Sequence, residues 1–427
     1  MVQVSLRAGT PKRYLSVATI TSATAGELLK RLYSNGEIQD LINLTHPALE
    51  MAAREGSADL GGSGFYFPVR TKSAHGHAYV TEDQDVPGGR QSTVLQAVVS
   101  PTVNLGIVQL TGLSMAVSSG SAASFARVFD ENTQQLLKSM SCYKEGALFR
   151  DGSGLLTQFN DTGAATAGPH IMDDVAYLRE GMFVDIIDET ATTRHNIAHE
   201  IVAVDWPART VTFASAIAAG VADNDKLYLT GSQATTGALV SKEPIGLAGS
   251  LKATGTYLGI DRAAQANWRS SALTASQLFD EDILLRARTR LTQEAGVQLS
   301  GFGRSYKVLT HPSQVDTLFK LAIPRIQYSG NQVFDLGNSS NVKFGNMEFV
   351  TSYQCPSNVA YLGDWQYSNT LYTPGGRLHI DSEYNGSQLK WTANKDGGIV
   401  LVKEYCAFAV KNPVAFCAIT ALTDATR

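Results

Sequence analysis

Charged residues and cysteines are scarce in this sequence. Charged side chains make up 17% of the 427 residues, below the roughly one quarter that is usual in soluble domains. A chain with few charges and an ordinary hydrophobic fraction, here 44%, often buries much of its surface against partners. No two of the four cysteines form a Cys-x-x-Cys pair. A disulfide framework is therefore disfavoured, and we expect buried free thiols at Cys142, Cys355, Cys406 and Cys417.

A basic excess and a long hydrophobic run are both absent. The chain has 35 basic and 39 acidic residues and a net charge of −4, whereas a tight binder of duplex DNA normally carries a basic excess because counterion release drives its affinity. No apolar run reaches the ~18 residues of a membrane span. The first residues, MVQVSLR, lack a signal-peptide pattern. We expect a soluble protein that is made in a cytoplasm, has no membrane partner and contacts nucleic acid only weakly.

Catalytic, cofactor and metal motifs are incomplete. Neither GxxxxGK[ST] nor GxSxG occurs in the sequence. His195 and His199 lack the HExxH order of a zinc protease, in which both histidines lie on one face of a helix. The residues that follow Glu200 continue as a strand, and in a strand positions i and i+4 lie ~13 Å apart, too far to bind one zinc ion. We expect an exposed loop there. Gly301-Phe-Gly303 lacks the third glycine of a dinucleotide loop and follows a helix, which predicts a turn. We therefore predict no catalytic, cofactor-binding or metal-binding residue and no enzymatic activity.

The N-terminal part predicts an arm and a long hairpin. Residues 1–61 form the arm, in which Thr24–Glu27 is a capping box that opens a short helix. Strands over 65–80 and 91–117 flank a polar turn, EDQDVPGGR, with the proline and glycines of a loop. His75 and His77 are a solvated or interfacial pair. The tip carries four charged residues that are either intersubunit contacts or a solvated turn: Glu82, Asp83, Asp85 and Arg90.

A long helix is predicted over 124–149. Five apolar or aromatic residues recur near one face and would pack as a spine: Phe125, Phe129, Leu136, Met140 and Tyr143. At 1.5 Å per residue the helix is ~38 Å long. The glycine-rich segment Arg150–Gly154 ends it.

The rest of the chain predicts a small all-β domain and a mixed α/β region. Short strands at 182–187, 200–205, 210–213 and 226–229 indicate an antiparallel barrel or sandwich. A helix capped by Ser276 runs through Ile283 and Leu291, and a second helix begins at Pro312 and stops before Pro324. Residues 342–427 are mainly strands.

The order of these elements resembles that of the HK97-fold major capsid proteins of tailed double-stranded DNA phages. Five parts of the chain carry the resemblance and together reach across most of it: Phe67–Arg70 before the turn, Leu105–Gly112 in the returning strand, Ser124–Arg127 and Arg150–Gly154 at the helix ends, Thr254–Arg262 with Trp268 and Arg269, and Tyr306–Ser313.

The resemblance implies an α+β, HK97-like capsid fold with named parts. Residues 1–61 would be the N-arm, 62–117 the E-loop and 118–159 the P-domain spine helix. The inserted β-barrel-like domain with its linkers would span 160–245. The remaining segments would be 246–275 in the P-domain, 276–344 in the A-domain, 345–392 as P-domain return strands, and 393–427 as A-domain and C-terminus.

The sequence departs from the family in three respects. Some members cross-link a lysine near the E-loop to an asparagine of a neighbouring subunit, but no lysine lies between Lys72 and Lys138. Although Asn385 lies near the plausible acceptor strand, we expect no such cross-link. Some members carry an N-terminal scaffolding segment, whereas about 60 residues precede this hairpin; we expect a separate scaffold protein. The inserted domain is not universal, and we expect it to make contacts between capsomers on the outside.

We therefore predict a major capsid protein that assembles into pentamers and hexamers of an icosahedral head around double-stranded DNA. Its partners would be copies of itself, a scaffold, a portal and a decoration or cement protein. It would reside in the virion after synthesis in the bacterial cytoplasm, and it would need no cofactor. Three alternatives stay open: an encapsulin-like or gene-transfer-agent shell protein, a β-rich adhesin or tail protein, and a metallohydrolase built on His195 and His199.

Overall fold

A computed structural model gives the fold of the chain. It describes residues 46–423 except 57–59, 62–63, 83–84, 86–87, 114–121, 162–165, 191–193, 232–241, 296–305, 327–342, 345–346, 373–376, 382–388 and 392–395. The predicted capping box Thr24–Glu27, most of the predicted arm and the tip residue Asp83 lie outside the described residues.

The chain divides into two compact units. The larger unit comprises residues 42–105, 137–379 and 403–427, and the smaller unit comprises residues 1–41, 106–136 and 380–402. The described α-helices are α1 Pro47–Met51, α2 Ala122–Phe149, α3 Leu247–Ser250, α4 Glu281–Ala295 and α5 Pro312–Ile326, with short 3₁₀ helices at Ala266–Trp268, Trp365–Tyr367 and Pro413–Ala415.

The described strands run from the first hairpin to the C-terminus. They are β1 Ala53–Gly56, β2 Leu60–Gly61, β3 Gly64–Lys72, β4 Thr93–Val99, β5 Thr102–Thr111, β6 Leu155–Gln158, β7 His170–Ile171, β8 Phe183–Ile187, β9 Arg194–Asp205, β10 Thr210–Phe213, β11 Lys226–Leu229, β12 Thr256–Tyr257, β13 Ile260–Asp261, β14 Ser271–Thr274, β15 Tyr306–Thr310, β16 Lys343–Phe344, β17 Met347–Thr351, β18 Ala360–Asp364, β19 Ser368–Tyr372, β20 His379–Ile380, β21 Leu389–Trp391, β22 Gly397–Val410 and β23 Phe416–Thr420.

Helix α2 confirms the long helix that the sequence predicted, with 28 residues. It ends where Gly152 and Gly154 adopt φ values of 88° and 81°, a left-handed conformation that glycine adopts without steric cost. Of the five predicted spine residues, Leu136 is half-buried, Met140 is buried and Tyr143 is partly buried. The side chains of Phe125 and Phe129 lie outside the described residues.

A mixed six-stranded sheet forms the centre of the larger unit, in the order β14-β23-β18-β15-β17-β16. Its strands are apolar on both faces because each face is covered. On one face Val308 and Leu362 pack with buried residues of α4 and α5. On the other, Leu309 and Tyr361 pack with the buried end of α2 and with α3.

Two details of the helices on this sheet differ from prediction. Helix α4 begins at Glu281, and the Asp280 carboxylate accepts a hydrogen bond from the Ile283 backbone N–H at 2.9 Å, so Asp280 caps the helix and Ser276 does not. Helix α5 runs through Pro324 to Ile326. Pro324 removes one backbone donor at the last turn, where the loss affects only the helix end.

Strands β6 to β11 form a closed antiparallel barrel within the larger unit. The order is β6-β11-β8-β9-β10-β7, and Phe159 bridges to Met172 at the junction of the first and last strands. There the Asn160 N–H donates to the Ile171 carbonyl at 2.9 Å, and the Asp173 N–H donates to the Gln158 carbonyl at 3.0 Å. Closure leaves no unpaired sheet edge at this junction. The interior is a hydrophobic cluster around Phe159, Val184 and Phe213.

The predicted exposed loop at His195–His199 was wrong. Both histidines lie on β9, where Ala198 has a φ of 54° and the register with β8 shifts. His199 is buried, and its Nε2 atom lies 2.9 Å from the Ser215 carbonyl. His195 Nε2 lies 3.4 Å from the Asp225 carboxylate. Because each imidazole has its own polar partner, a polar segment can occupy the barrel wall.

Strands β2, β3 and β4 form the base of the predicted hairpin. The regular ladder is shorter than predicted, since β3 ends at Lys72 and the residues that follow are not strand. The returning strand is also divided, because Pro101 has no N–H to give to a ladder and separates β4 from β5. The inner face of the hairpin, with Phe65, Ala97 and Val99, packs on a buried cluster around Tyr257 and Trp268.

The remaining pairings involve the long strand β22. In the larger unit its end pairs antiparallel with β19, and β1 pairs parallel with β19. In the smaller unit β21 pairs with its beginning, Leu389 opposite Val400. There the Gly112 N–H, after β5, donates to the Asp396 carbonyl at 2.9 Å.

Candidate assembly surface

The outer part of the hairpin, residues 73–92, is an exposed arm. Its described residues are all exposed and include the large apolar residues Tyr79, which is fully exposed, and Val80. The two legs of the arm stay together: a Cβ placed on Gly76 would lie 3.0 Å from the Gly89 Cα. A two-stranded extension without a core of its own is marginally stable in water. The arm is therefore a surface that another molecule would have to cover.

The structure places the predicted tip charges on this arm. Glu82, Asp85 and Arg90 are exposed, whereas Asp83 lies outside the described residues. His75 and His77 are exposed as well, with ring centroids 6.2 Å apart. The geometry gives these groups access to a partner, and their role at an interface stays a prediction.

The outer face of the hairpin base is a second exposed surface, which the sequence reasoning missed. Alternate residues of β3 point away from the inner cluster, so Pro68 and Arg70 are exposed opposite Gln96 and Val94. On β4, Val94 is 52% and Val98 is 36% exposed. On β4 the exposed residues alternate with buried or partly buried ones. This period of two could have indicated a strand with one face in solvent.

Buried ion pairs join the end of helix α2 to distant segments of the larger unit. Arg150 donates from Nε and a terminal nitrogen to the two carboxylate oxygens of Glu243, at 3.2 and 3.0 Å. The Tyr143 hydroxyl also donates to Glu243. Six residues before Arg150, Lys144 pairs with buried Glu404 at 2.5 Å. Burial removes the hydration of each charged group. Loss of one partner would therefore leave the other charge buried and unpaired, which would destabilise the folded chain.

Arg150 lies in an aromatic cage beside its carboxylate partner. Its guanidinium is 4.8 Å from the Tyr143 ring centroid and 5.0 Å from that of Tyr177. Burial lowers the pKa of Arg150 to about 10, still far above neutral. Burial also raises the pKa of Glu243, and the guanidinium at hydrogen-bonding distance opposes that shift. We take the pair as ionised at neutral pH.

Glu145 is a buried carboxyl without a cationic partner among the described residues. Its Oε1 atom accepts from the Ser352 hydroxyl at 2.7 Å and from the Ala48 N–H at 3.3 Å, whereas the buried Oε2 atom has no hydrogen-bond partner in the described part of the chain. Desolvation by burial raises the pKa of Glu145 from 4.5 to about 7, against the lowering effect of the two hydrogen bonds. The proton that Glu145 holds at low pH is lost near neutrality.

Glu145→Gln is expected to stabilise the protein at alkaline pH. Because the folded-state pKa lies above the unfolded value, Glu145 favours folding below pH 4.5, and this stability is lost as the pH rises through about 7. At pH 8 the variant should exceed the parent by about 3 kcal/mol, and at pH 4 the two should agree. Urea unfolding at both pH values measures the difference, with exposed Glu200→Gln as the matched control. An equal gain at both pH values would contradict the explanation.

The described residues hold no group of three or more histidine, cysteine, aspartate or glutamate side chains arranged to bind a metal ion. All four cysteines are free and buried, which confirms the prediction, and burial raises the pKa of Cys406 and Cys417 to about 12. Over the described part of the chain, none of the helices combines the length and apolar composition needed to span a bilayer.

Comparison with known proteins identifies the fold. Neither a protein-family model nor a curated protein sequence matches the chain. A chain of the cyanophage A-1(L) capsid asymmetric unit superposes with a TM-score of 0.54 at 14% identity, over 95% of this chain and 100% of that chain. The capsid of a native gene-transfer-agent particle gives 0.48 at 8% identity over 91% and 94% of the chains. An encapsulin of Synechococcus elongatus PCC 7942 gives 0.45 at 10% identity over 93% and 96%.

The likeness to the cyanophage chain, which spans nearly the whole of both chains, shows that this chain has a phage capsid fold. Its mixed helices and strands are of the predicted α+β class and fit the HK97-like fold that the sequence resembles.

Proposed function

We propose that this chain is the major capsid protein of a tailed phage, assembling into pentamers and hexamers that close an icosahedral head around double-stranded DNA. The observation that carries the proposal is the likeness to a cyanophage capsid chain over 95% of this chain and 100% of that one. The exposed arm supports it independently, since every described residue between 73 and 92 is exposed, and a two-stranded extension of this kind would gain stability against another subunit.

In this proposal the parts of the chain take the roles that the resemblance implies. Residues 1–61 are the N-arm, 62–117 the E-loop, and 118–159 the spine of the P-domain. The inserted domain makes contacts between capsomers; the sequence predicted it over 160–245, and its barrel also includes β6 at Leu155–Gln158. The tip residues Glu82, Asp83, Asp85 and Arg90 contact a neighbouring subunit.

The net charge of −4 suits a container for DNA. A shell wall that carried a strong basic excess would bind its contents through counterion release and resist their ejection. Scaffold, portal and decoration proteins would be separate partners, and the finished protein would reside in the virion. The protein acts by assembly and has no catalytic role in this proposal.

Co-expression with the genes that neighbour it tests the proposal. We expect closed particles in the pelleted fraction, and we expect purified shells to release short duplex DNA at about 150 mM salt. Mass spectrometry of the contents separates the alternatives. A constant stoichiometric enzyme inside the particles would favour an encapsulin-like compartment, and a chain that stays monomeric with all of its neighbours would contradict a shell.

A further inference from the structure

Glu145, on helix α2, is a fully buried carboxyl that the ion pairs of the larger unit leave without a counter-charge. The two cations at the same end of the helix, Lys144 and Arg150, pair with Glu404 and Glu243. Over the described part of the chain, no cation lies within ion-pair distance of Glu145. An isolated carboxylate is costly to bury, whereas the neutral carboxyl costs much less. The charge of Glu145 therefore affects the stability of the contacts around it.

The two hydrogen-bond donors to Glu145 come from different segments of the chain. The hydroxyl of Ser352, directly after β17, donates to Oε1 at 2.7 Å, and the N–H of Ala48, in helix α1, donates to the same oxygen at 3.3 Å. The Ser352 hydroxyl also accepts from the Gln354 N–H at 3.3 Å, which directs its proton toward Glu145. Because both donors point at Oε1, the neutral carboxyl carries its proton on Oε2. Glu145 therefore joins α1 and the chain after β17 to α2.

Helix α1 is a short element with few bonds of its own. It has five residues, and its N-cap residue His46 makes no side-chain cap bond, whereas helices below about 12 residues are marginal alone. The backbone hydrogen bonds at its two ends are 3.4 and 3.3 Å long, beyond the usual range of about 2.7–3.2 Å. Buried Ala48 and Leu49 pack on Leu148 and Phe149. The helix is thus held by this packing and by Glu145, which are the conditions for local opening at low cost.

We propose that Glu145 is a pH-sensitive switch for the attachment of helix α1: the neutral carboxyl keeps α1 on the end of α2, and the ionised carboxylate favours its release. Release lets water reach the carboxylate at the cost of few apolar contacts. Strand β1, which follows α1, pairs with β19 over four residues, so the opening ends there.

The direction of the switch follows from the groups that face Glu145. Desolvation by burial raises the pKa of Glu145 to about 7, and repulsion by Glu50 of α1 acts in the same direction. The released carboxyl is hydrated and titrates near its ordinary value of 4.5. Attachment is therefore strongest below pH 4.5, weakens as the pH rises from 4.5 to about 7, and changes little above that range. The titratable groups of the three segments are His46 and Glu50 at α1, Cys142, Tyr143, Lys144 and Arg150 at α2, and Tyr353 and Cys355 after β17.

Hydrogen exchange of the full, unassembled chain tests the switch, with the amides of residues 48–52 as the readout. After correction for the chemical pH dependence of exchange, the opening constant of α1 in the parent should rise on the order of 50-fold from pH 5 to pH 8. In Glu145→Gln, whose amide keeps the acceptor and is neutral at both pH values, the change should fall to within about twofold. Exposed Glu200→Gln is the matched control and should keep the profile of the parent. The amides of β15 report whether the opening is local.

Ser352→Ala gives a second test that does not depend on the Gln variant. The Ser352 hydroxyl lowers the pKa of Glu145, so its removal should move the midpoint of the α1 opening curve to higher pH and increase the opening at pH 8. A loss of packing alone would raise the opening equally at pH 5 and pH 8 and leave the midpoint unchanged. Circular dichroism verifies that each variant is folded.

The outcomes separate the switch from the shell function. An opening of α1 that does not change with pH in the parent, or a pH dependence that Glu145→Gln retains, would overturn the switch. Equal changes in α1 and β15 would overturn it too, since Glu145 would then act only on global unfolding. Where residues 1–61 serve as the arm of a shell, which rests on the proposed function, the switch sets the pH range in which α1, the described helix of that arm, is attached. Shells from a chain whose α1 ignores pH would leave the shell function standing, and a pH-sensitive α1 in a chain that forms no particles would leave only the switch.

Discussion

Replacing residues 73–92 with an Asn-Gly turn should abolish shell assembly and leave a folded, monomeric chain. Lys72 and Thr93 face each other at the end of the β3–β4 ladder, which is the geometry that a two-residue turn closes. The described residues of the arm are exposed, so their removal exposes no core. The folded chain should therefore keep its stability to within about 1 kcal/mol, while the surface that a neighbour would cover is gone.

Sedimentation velocity and the urea midpoint together measure this result. The parent should sediment as particles or capsomers, and the shortened chain as a monomer with an unchanged midpoint. A matched control keeps the arm length but replaces residues 77–88 with glycine and serine, which tests whether the tip residues or only the length matter. Shells formed by the shortened chain with the parent's efficiency would contradict a role of the arm in assembly.

Arg150→Met should destabilise the larger unit by about 3–5 kcal/mol, the usual cost of removing one partner of a buried ion pair. The carboxylate of Glu243 would remain buried with the Tyr143 hydroxyl as its charge-stabilising donor. Glu243 follows the last strand of the barrel in the chain, and Arg150 directly follows the last residue of helix α2. Their contact therefore joins the barrel exit to the helix, and its loss should also lower the yield of assembled particles.

A double-mutant cycle distinguishes this explanation from simple loss of packing. Arg150→Met with Glu243→Met removes both charges and should recover most of the lost stability, because no buried carboxylate is left without its partner. The single variant should also be less destabilised at pH 5 than at pH 8, since burial raises the pKa of Glu243 and a protonated carboxyl needs no counter-ion. Urea midpoints of the parent, the two single variants Arg150→Met and Glu243→Met, and the double variant measure both effects. Additive losses in the double variant would contradict the ion-pair explanation.

The elements with strong local signals could be predicted from sequence. Helix α2 has an apolar period and a glycine-rich exit, and its observed bounds differ from the prediction by two residues at the start. The strands Thr210–Phe213 and Lys226–Leu229 were predicted with their observed bounds. In each of these cases neighbouring residues determine the local conformation, so a periodic pattern is enough.

Long-range features could not be predicted from local patterns. Barrel closure depends on backbone bonds between Asn160 and Ile171 and between Asp173 and Gln158, which no side-chain period records. The pair of Arg150 and Glu243 joins residues 93 positions apart. The polar residues of His195–His199 indicated a loop, because the sequence does not show that the Ser215 carbonyl lies 2.9 Å from His199 Nε2.

The candidate surface was predicted in part. The proline, glycines and charges of residues 82–90 indicated a polar hairpin tip, and the structure places Glu82, Asp85 and Arg90 in solvent. The exposed base of the hairpin was missed because Pro68 and Arg70 were read only as strand residues. The cluster around Tyr257 and Trp268 covers one face of the hairpin base. These residues lie more than 150 positions away along the chain, so the local sequence does not show which face is covered.

Electron microscopy of the full chain, expressed alone and together with its neighbouring genes, tests the central claim most directly. The account predicts closed, angular particles of uniform size, or capsomers with five- and six-fold symmetry, in which the arm of each subunit lies on its neighbour. A strict monomer at high concentration in both preparations would contradict it, because the exposed arm would then have no partner to cover it.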